Sequence, residues 1–257
     1  MTAKVFLNQT ANIEPVAPKY IPIFDGLTHT SVIINTTSIT QIITFDAGRL
    51  ITPNFFAIQG HNFRDLDITA LQLRSHPDDG FGSPATVLMQ ITPGEIATGI
   101  NFVETPENEN QVQYLSVLIQ NATPFSDSNG LLTNVSIGEK LELPNEIQPN
   151  YTPPPLAINA DVKNNISMGG NFIGRSVRLE QYDFTIKQAH LTPDWVRANW
   201  LTLLDYIQEK PFFYLWNDDH PEDMVYCWTK GDIPPPVYNH QCYMSFLFKC
   251  NGFIERG

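Results

Sequence analysis

The sequence predicts a mostly β protein with two domains: an N-terminal β-sandwich of the jelly-roll type, and a C-terminal β-sheet domain with one packed α-helix. A chain of 257 residues is long enough for two domains that each bury a core. Short runs of β-branched and aromatic residues recur between turn residues, which is typical of strands. A hydrophobic fraction of 42% with 16% charged residues indicates a folded chain.

In the first half of the chain, the spacing of the short apolar runs is typical of the strands of a jelly roll. Gly, Pro, Asn and Asp separate its apolar runs, and each of these residues favours a turn. The runs follow one another closely enough for two stacked antiparallel sheets. We expect residues 1–30 to form an N-terminal arm. The predicted strands are 31–36, 40–45, 54–59, 66–74, 85–91, 100–104, 112–120 and 140–143.

A proline-rich stretch separates the two predicted domains. The sequence "LPNEIQPNYTPPPL" contains five prolines, and proline continues neither a helix nor an inner strand. We therefore place the boundary near residue 150, with a jelly-roll domain at 1–150 and a second β domain at 151–257.

The second domain is predicted to combine a long strand with a helix. The glycine-bearing stretch "MGGNFIGRS" (168–176) favours a turn over a phosphate loop, because the GxxxxGK[ST] spacing is missing. The strand covers 177–191 and contains one bulge, because its apolar residues change parity. A helix over 193–208 follows. Its start is marked by Thr192 as N-cap, and its apolar stripe is Val196, Trp200, Leu203, Leu204 and Ile207.

The run "FFYLW" (212–216) is apolar on both faces of a strand. Such a strand must be covered on both sides, and a small domain with one helix offers little to cover the second side. Exposed aromatic surface is also typical of interfaces. We therefore predict an oligomer interface. Its residues are Phe212, Phe213, Tyr214, Leu215, Trp216 and Trp228.

Composition argues against several function classes. The 27 acidic side chains outnumber the 15 basic ones, which disfavours nucleic-acid binding. No apolar run is long enough for membrane insertion, and the N-terminus does not resemble a signal peptide, so we expect synthesis in a cytoplasm. Cys227, Cys242 and Cys250 are odd in number and lie in apolar sequence, which favours buried free thiols.

No motif predicts catalysis, and we expect a protein that is not an enzyme and needs no metal or cofactor. A GxSxG elbow is missing. The acidic stretches 76–80 and 217–223 offer oxygen ligands for calcium, and His76 or His220 would suit a transition metal, but solvated turns are favoured. Aromatic side chains of a jelly roll also stack on sugars. The candidates for such glycan contacts are His61, Phe81 and Tyr114, although core packing is the more common role of each.

Three stretches of the sequence resemble those of a known group of proteins. "PNFFAIQGHNF" (53–63) and "VSIGEKLELP" (135–144) resemble galactose-binding-like jelly rolls of phage tail and fibre proteins. The order of elements from "GGNFIGRS" through the helix to "FFYLWN" is similar to that of tail-tip proteins of long-tailed phages, such as the distal tail protein class. In many members of that class the ring-forming domain is N-terminal, whereas here it is the C-terminal one.

The resemblance implies a structural protein of the virion, at the tail tip or baseplate, that assembles in the cytoplasm of the host bacterium. Its partners are then copies of itself in a ring, as a hexamer or trimer, together with other tail proteins and a host surface glycan. Two alternatives remain open. One is a carbohydrate-binding module that recognises host surface glycans through the loops at 59–63 or 76–82, and the other is a calcium-dependent or other metal hydrolase of the cell wall.

Overall fold

The computed structural model describes residues 3–9, 13, 15–81, 84–96, 100–105, 111–125, 129–144, 151–240 and 242–253, with the side chains of 177–180 and 240 excepted. The chain divides into two compact units. The first contains the described residues from Phe6 to Leu141, and the second contains those up to Val5 together with those from Glu142 onward. The predicted boundary near residue 150 lies at the end of 145–150, outside the described residues.

The first unit is an antiparallel β-sandwich. In one sheet the strand order is β9-β4-β7, and β2 also pairs with β9; in the other it is β3-β8-β5-β6. The strands are β1 (Ala3–Asn8), β2 (Val32–Ile34), β3 (Thr40–Ile51), β4 (Phe55–His61), β5 (Ile68–His76), β6 (Thr86–Ile91), β7 (Asn101–Glu104), β8 (Val112–Asn121) and β9 (Gly130–Leu143). Residues 3–5 of β1 and 142–143 of β9 belong to the second unit.

The two sheets enclose one hydrophobic core, as the alternating strand pattern predicts. Phe56 and Ile58 contribute to this core from β4, and Leu115, Val117 and Ile119 contribute from β8; all five are fully buried. Residues between these positions point to the opposite face of each sheet, because side chains alternate along a strand. The predicted jelly-roll-type sandwich is confirmed at this level.

Three strands of this region differ from the sequence prediction. β3 continues to Ile51, six residues beyond the predicted strand at 40–45. β9 begins at Gly130, ten residues before the predicted strand at 140–143, and β1 forms within the predicted arm. Gly138 explains how the two come together. A Cβ on Gly138 would lie 2.1 Å from the Leu7 carbonyl oxygen and 2.6 Å from the Gln9 nitrogen. Only glycine permits this approach, and in it the Gln9 N–H donates to the Ile137 carbonyl at 2.8 Å.

The second unit is an antiparallel sheet with one packed α-helix, as predicted. The strand order is β10-β11-β15-β13-β12, and β14 pairs with β15. The elements are β10 (Ile158–Ile166), β11 (Phe172–Leu191), α1 (Pro193–Glu209), β12 (Phe212–Leu215), β13 (Val225–Thr229), β14 (Val237–His240) and β15 (Tyr243–Gly252). β11 is longer than expected, and β10 was not predicted.

The helix begins as its sequence predicts. The Thr192 hydroxyl accepts a hydrogen bond from the Trp195 N–H at 3.3 Å, which satisfies one of the free donors of the first turn. Val196, Trp200, Leu203 and Ile207 are buried. The Trp200 ring packs 5.1 Å from that of Phe246 on β15 (a centroid distance), so the apolar stripe faces the sheet.

The aromatic strand β12 is buried within a single chain, which corrects the interface prediction for four of its residues. Phe212, Phe213, Tyr214 and Leu215 each expose 2% or less of their surface. On one face the ring of Phe212 contacts Phe248 at 6.4 Å, and on the other the ring of Phe213 contacts Tyr226 at 4.8 Å. No neighbouring subunit is needed to cover these side chains.

The two remaining interface candidates have different environments. The indole Nε1 of Trp216 donates to the Asp223 carboxylate at 2.8 Å, and its half-buried ring lies 6.4 Å from that of Tyr151. Trp228 is 37% exposed and stays on the surface.

The cysteines follow the expected pattern at two positions of three. Cys227 and Cys250 are buried free thiols, but Cys242 is exposed. Cys242 lies in the turn before β15, where the chain is not covered by other elements. Among the residues that the structure describes, no helix is long and apolar enough to cross a membrane.

Candidate functional site

An open cleft of about 660 Å³ lies in the first unit, where four strand ends meet. In the antiparallel sheet β3-β8-β5-β6, the ends of β3 and β5 lie beside the starts of β8 and β6. His76, the last residue of β5, is therefore the direct neighbour of Tyr114 on β8. The lining residues are Leu50, Ser75, His76, Pro77, Pro84, Thr86, Gln111, Val112, Gln113 and Tyr114.

Three rings form a connected cluster at this cleft. The ring of Phe81 meets that of His76 edge-on at 5.5 Å and that of Tyr114 edge-on at 6.0 Å, measured between centroids. His76 and Tyr114 line the cleft, and Phe81 supports both. Because edge-to-face contacts of this kind are favourable, the cluster fixes the orientation of the two lining rings.

A tight turn after β5 places Phe81 in this cluster. The Asp78 carboxylate accepts a hydrogen bond from the Gly80 N–H at 3.1 Å, and the Asp78 carbonyl accepts one from the Phe81 N–H at 3.4 Å. Phe81 has a φ of 48°, a left-handed conformation that is uncommon for a bulky residue. In this conformation the Phe81 ring lies against the rings of His76 and Tyr114.

A buried hydroxyl group positions the imidazole of His76. Its Nε2 lies 2.8 Å from Oγ of Ser116, which is only 1% exposed. Ser116 is two residues along β8 from Tyr114, so both side chains lie on the outer face of the sheet. One strand thus supplies both the lining ring and the group that positions the neighbouring imidazole.

The opposite wall is shaped by an irregularity in β3. Its pairing with β8 shifts between Asp46 and Ile51, and Gly48 in this segment has a φ of 68°. The Asp46 carboxylate accepts from the Gly48 N–H at 2.7 Å and from the Gln113 side-chain amide at 2.9 Å. Gln113 is thereby fixed at the cleft, with its amide oxygen left as an acceptor.

A row of polar side chains continues along the outer face of the sheet. Gln72, Arg74 and His76 are alternate residues of β5 and share this face. The Gln72 amide oxygen accepts from the Arg74 guanidinium at 2.6 and 3.0 Å, and the Gln72 amide nitrogen donates to Gln90 at 2.9 Å. This row offers further hydrogen-bonding groups beside the cleft.

The cleft suits an uncharged, hydroxyl-bearing ligand. Among the described residues that line it, none is a lysine, an arginine or a carboxylate. The lining instead combines apolar surface with hydroxyl, amide and imidazole groups, which both donate and accept hydrogen bonds. The volume is within the range of small-molecule sites, roughly 300–1,000 Å³.

The structure separates His61 from the other two glycan candidates. His61 is 8% exposed, and its ring stacks on Phe63 at 4.8 Å. Its Nδ1 accepts from the Phe63 N–H at 3.2 Å, and its Nε2 lies 2.6 Å from the Asn101 side-chain amide. Burial lowers the pKa of His61 to about 4. His61 is therefore a neutral core histidine and not part of this site.

The acidic stretches are turns in the structure. His220 and Glu222 form an exposed pair at 3.0 Å, and the hydrogen bond that the His220 ring donates to the Glu222 carboxylate raises the pKa of His220. Within the described part of the chain, no group of three or more His, Cys, Asp or Glu side chains is placed to hold a metal ion.

Sequence reasoning identified Phe81 and Tyr114 but missed most of their surroundings. His76 was named as a possible metal ligand and as the first residue of the loop 76–82 in the carbohydrate-binding alternative, and Ser116 and Gln113 were not singled out. One signal was present: polar residues alternate with apolar ones at 72, 74 and 76, which indicates a polar outer face. Residue 82, part of the loop 76–82 in the carbohydrate-binding alternative, lies outside the described residues.

Comparisons with known proteins gave distant structural neighbours only. No protein-family model matches the chain, and no curated protein matches it. A chitosan-binding module of a chitosanase/glucanase from Paenibacillus sp. IK-5 is 18% identical over 51% of this chain and 98% of its own length, with a TM-score of 0.40. A second module of that enzyme, in complex with chitotriose, is 15% identical over 51% of this chain and all of its own length, and its TM-score is also 0.40. The module CpGH89CBM32-6 of Clostridium perfringens is 12% identical over 51% of this chain and 98% of its own length, with a TM-score of 0.39.

Proposed function

We propose that this protein binds carbohydrate, through the cleft between the ends of β3, β5, β6 and β8. The observation that carries the proposal is the ring cluster of His76, Phe81 and Tyr114 at the edge of an open, uncharged cleft. Sugar rings have apolar C–H faces and a periphery of hydroxyl groups. A binding site for them therefore needs an aromatic surface and convergent polar groups in one place.

Each part of the cleft has a role in this proposal. The Tyr114 ring provides the surface on which a sugar ring packs, because aromatic side chains offer large apolar contact area with few rotatable bonds. Gln113, held by Asp46, and His76, held by Ser116, provide hydrogen bonds of fixed direction. Because these side chains are already positioned, little conformational entropy is lost on binding.

The uncharged lining makes a neutral sugar the preferred ligand class. An anionic glycan would find no lysine or arginine among the described lining residues. The chain carries a net charge of −12, which adds a general repulsion toward anions. We therefore expect neutral oligosaccharides to bind more tightly than uronic-acid or sulfated ones.

A glycan array followed by calorimetric titration of the best neutral oligosaccharide tests the proposal. Replacing Tyr114→Ala is expected to weaken binding about tenfold or more, because an aromatic contact is lost. Tyr238→Ala is the matched control, since Tyr238 is 60% exposed and lies in the other unit. The proposal is contradicted if the protein binds no glycan on the array, or if the Tyr114 variant and the parent bind equally well.

A second candidate function is the structural tail-tip component that the sequence resemblance implies. The hairpin β10–β11 favours it, because its β10 strand is exposed along its whole length and offers a surface for assembly. In this proposal the protein is a virion component, and its partners are copies of itself in a ring and other tail proteins. Native mass measurement with negative-stain imaging tests it: a closed ring with a central opening is expected, and a monomer or dimer contradicts it.

A further inference from the structure

The hairpin β10–β11 is an exposed arm. All nine residues of β10 are exposed, and β10 is the last strand on its side of the sheet. Among the described residues, β11 is its only strand partner, so one edge of its backbone is unpaired. Folded proteins usually protect such an edge with proline, charged side chains, a bulge or a covering element, because it is a template for pairing with another chain. The two register shifts between β10 and β11 place their extra residue on β11, so β10 itself is continuous.

The side chains of β10 alternate as those of a half-buried strand do. One face carries Ile158, Ala160, Val162 and Ile166, interrupted by Asn164, and the other carries Asn159, Asp161, Lys163 and Asn165. Phe172 lies opposite Ile166 in the hairpin and is 66% exposed. This alternation is typical of a strand that takes part in a sheet. A two-stranded hairpin alone is marginally stable, which points the same way.

We propose that β10 pairs antiparallel with β10 of a second copy of this chain, about a twofold axis through Val162. In this register Val162 lies opposite Val162 of the second copy, and Ile158 lies opposite Ile166 of the second copy. Asp161 lies opposite Lys163 of the second copy, and the same pair recurs across the axis. The strand is therefore complementary to itself in charge and in apolar contacts, as a twofold interface requires.

Neighbouring registers are unfavourable. Moving the pairing by two residues in one direction puts Asp161 opposite its own copy, and in the other direction it puts Lys163 opposite its own copy. Like charges directly opposite each other are destabilising. A shift by one residue places apolar residues opposite polar ones, because side chains alternate with a period of two. The charges on either side of Val162 thus select one register.

The antiparallel arrangement also covers the ends of the arm. It brings the tip of each arm, with Ile166 and Phe172 exposed by 63% and 66%, to the base of the other. At that base Leu156 and Ile158 are 76% and 50% exposed. Along the shared edge Val162 and Ile158 contact the residues opposite them, and the unpaired N–H and C=O groups of the two β10 strands form a new antiparallel ladder.

Cross-linking tests the register. In a Cys242→Ser background, which removes the exposed native thiol, Val162→Cys is expected to give a disulfide-linked dimer with copper phenanthroline as oxidant. Ile166→Cys is the control, because the two copies of residue 166 would be separated by roughly 26 Å in this register. Equal cross-linking at both positions, or none at 162, contradicts the pairing.

Charge exchange tests the pairing in solution by sedimentation of the full chain. Asp161→Lys and Lys163→Asp are each expected to weaken the dimer about tenfold or more, since each places two like-charge pairs across the axis. The double variant Asp161→Lys/Lys163→Asp restores opposite charges and is expected to dimerise as the parent does. A monomeric parent, a closed ring, or a double variant weaker than either single one overturns the proposal. None of these outcomes depends on glycan binding.

Discussion

The imidazole Nε2 of His76 lies 2.8 Å from the Ser116 hydroxyl, and the two residues come from adjacent strands β5 and β8. Ser116 is buried on the outer face of the sheet and His76 lines the cleft, so a buried hydroxyl group determines where a surface ring points. This relationship makes the proposed site a property of strand pairing rather than of a flexible loop.

We expect Ser116→Ala to weaken glycan binding about threefold to tenfold while the protein stays folded, because His76 loses a hydrogen bond worth about 1 kcal/mol. The loss should be smaller than that of Tyr114→Ala, since Ser116 acts through His76. Calorimetric titration measures both. Ser245→Ala, which removes an exposed hydroxyl in the other unit, is the control. An effect of Ser116→Ala as large as that of Tyr114→Ala would mean a direct contact instead.

Stability should fall as the pH is lowered from about 6.5 to about 4, because of His61. Burial lowers the pKa of His61 from 6.5 in an unfolded chain to about 4, so over this range the unfolded state binds a proton that the native state does not. The neutral His61 therefore makes the free energy of unfolding roughly 3 kcal/mol larger above pH 6.5 than below pH 4. Urea unfolding at several pH values measures it. In His61→Gln this pH dependence should be reduced by about that amount, and an unchanged profile argues against the assignment.

Replacing Gly138→Ala should destabilise the first unit. The added methyl group would collide with the backbone of Leu7 and Gln9, and neither backbone atom can move away without breaking strand contacts. We expect a loss of about 1–3 kcal/mol in the free energy of unfolding. Gly174→Ala is the matched control, since a Cβ there has no atom within 4 Å. Equal stability of the two variants would show that β1 and β9 do not approach as described.

Replacing Phe213→Ala should lower the free energy of unfolding by about 3–5 kcal/mol, as for a fully buried ring. Because β12 belongs to the core of one chain, this loss should not depend on protein concentration. Trp228→Ala, at an exposed position, should change stability by less than about 1 kcal/mol. A concentration-dependent effect of Phe213→Ala would instead restore the interface interpretation of this strand.

Much of the local structure followed from the sequence. The helix was predicted to within one residue at its C-terminal end. Its N-cap acts on the first turn, and its apolar residues recur every three or four positions, so both signals are local. Most strands of the sandwich were also identified. β9 was predicted too short, because the residues before 140 alternate less clearly and Gly130 and Gly138 resemble turn signals.

The fold class, the helix and the β-sandwich could be predicted from the amino-acid sequence, because periodicity and turn chemistry are encoded over a few neighbouring residues. Which aromatic residues belong to the core and which lie on the surface became clear from the packing of the folded chain. Phe213 and Phe172 look alike in sequence, but the first packs on Tyr226 and the second is exposed on the arm. The same holds for the cleft, where His76 and Tyr114 meet across 38 residues of chain. Such contacts depend on which strands pair, and strand pairing is a long-range property of the whole fold.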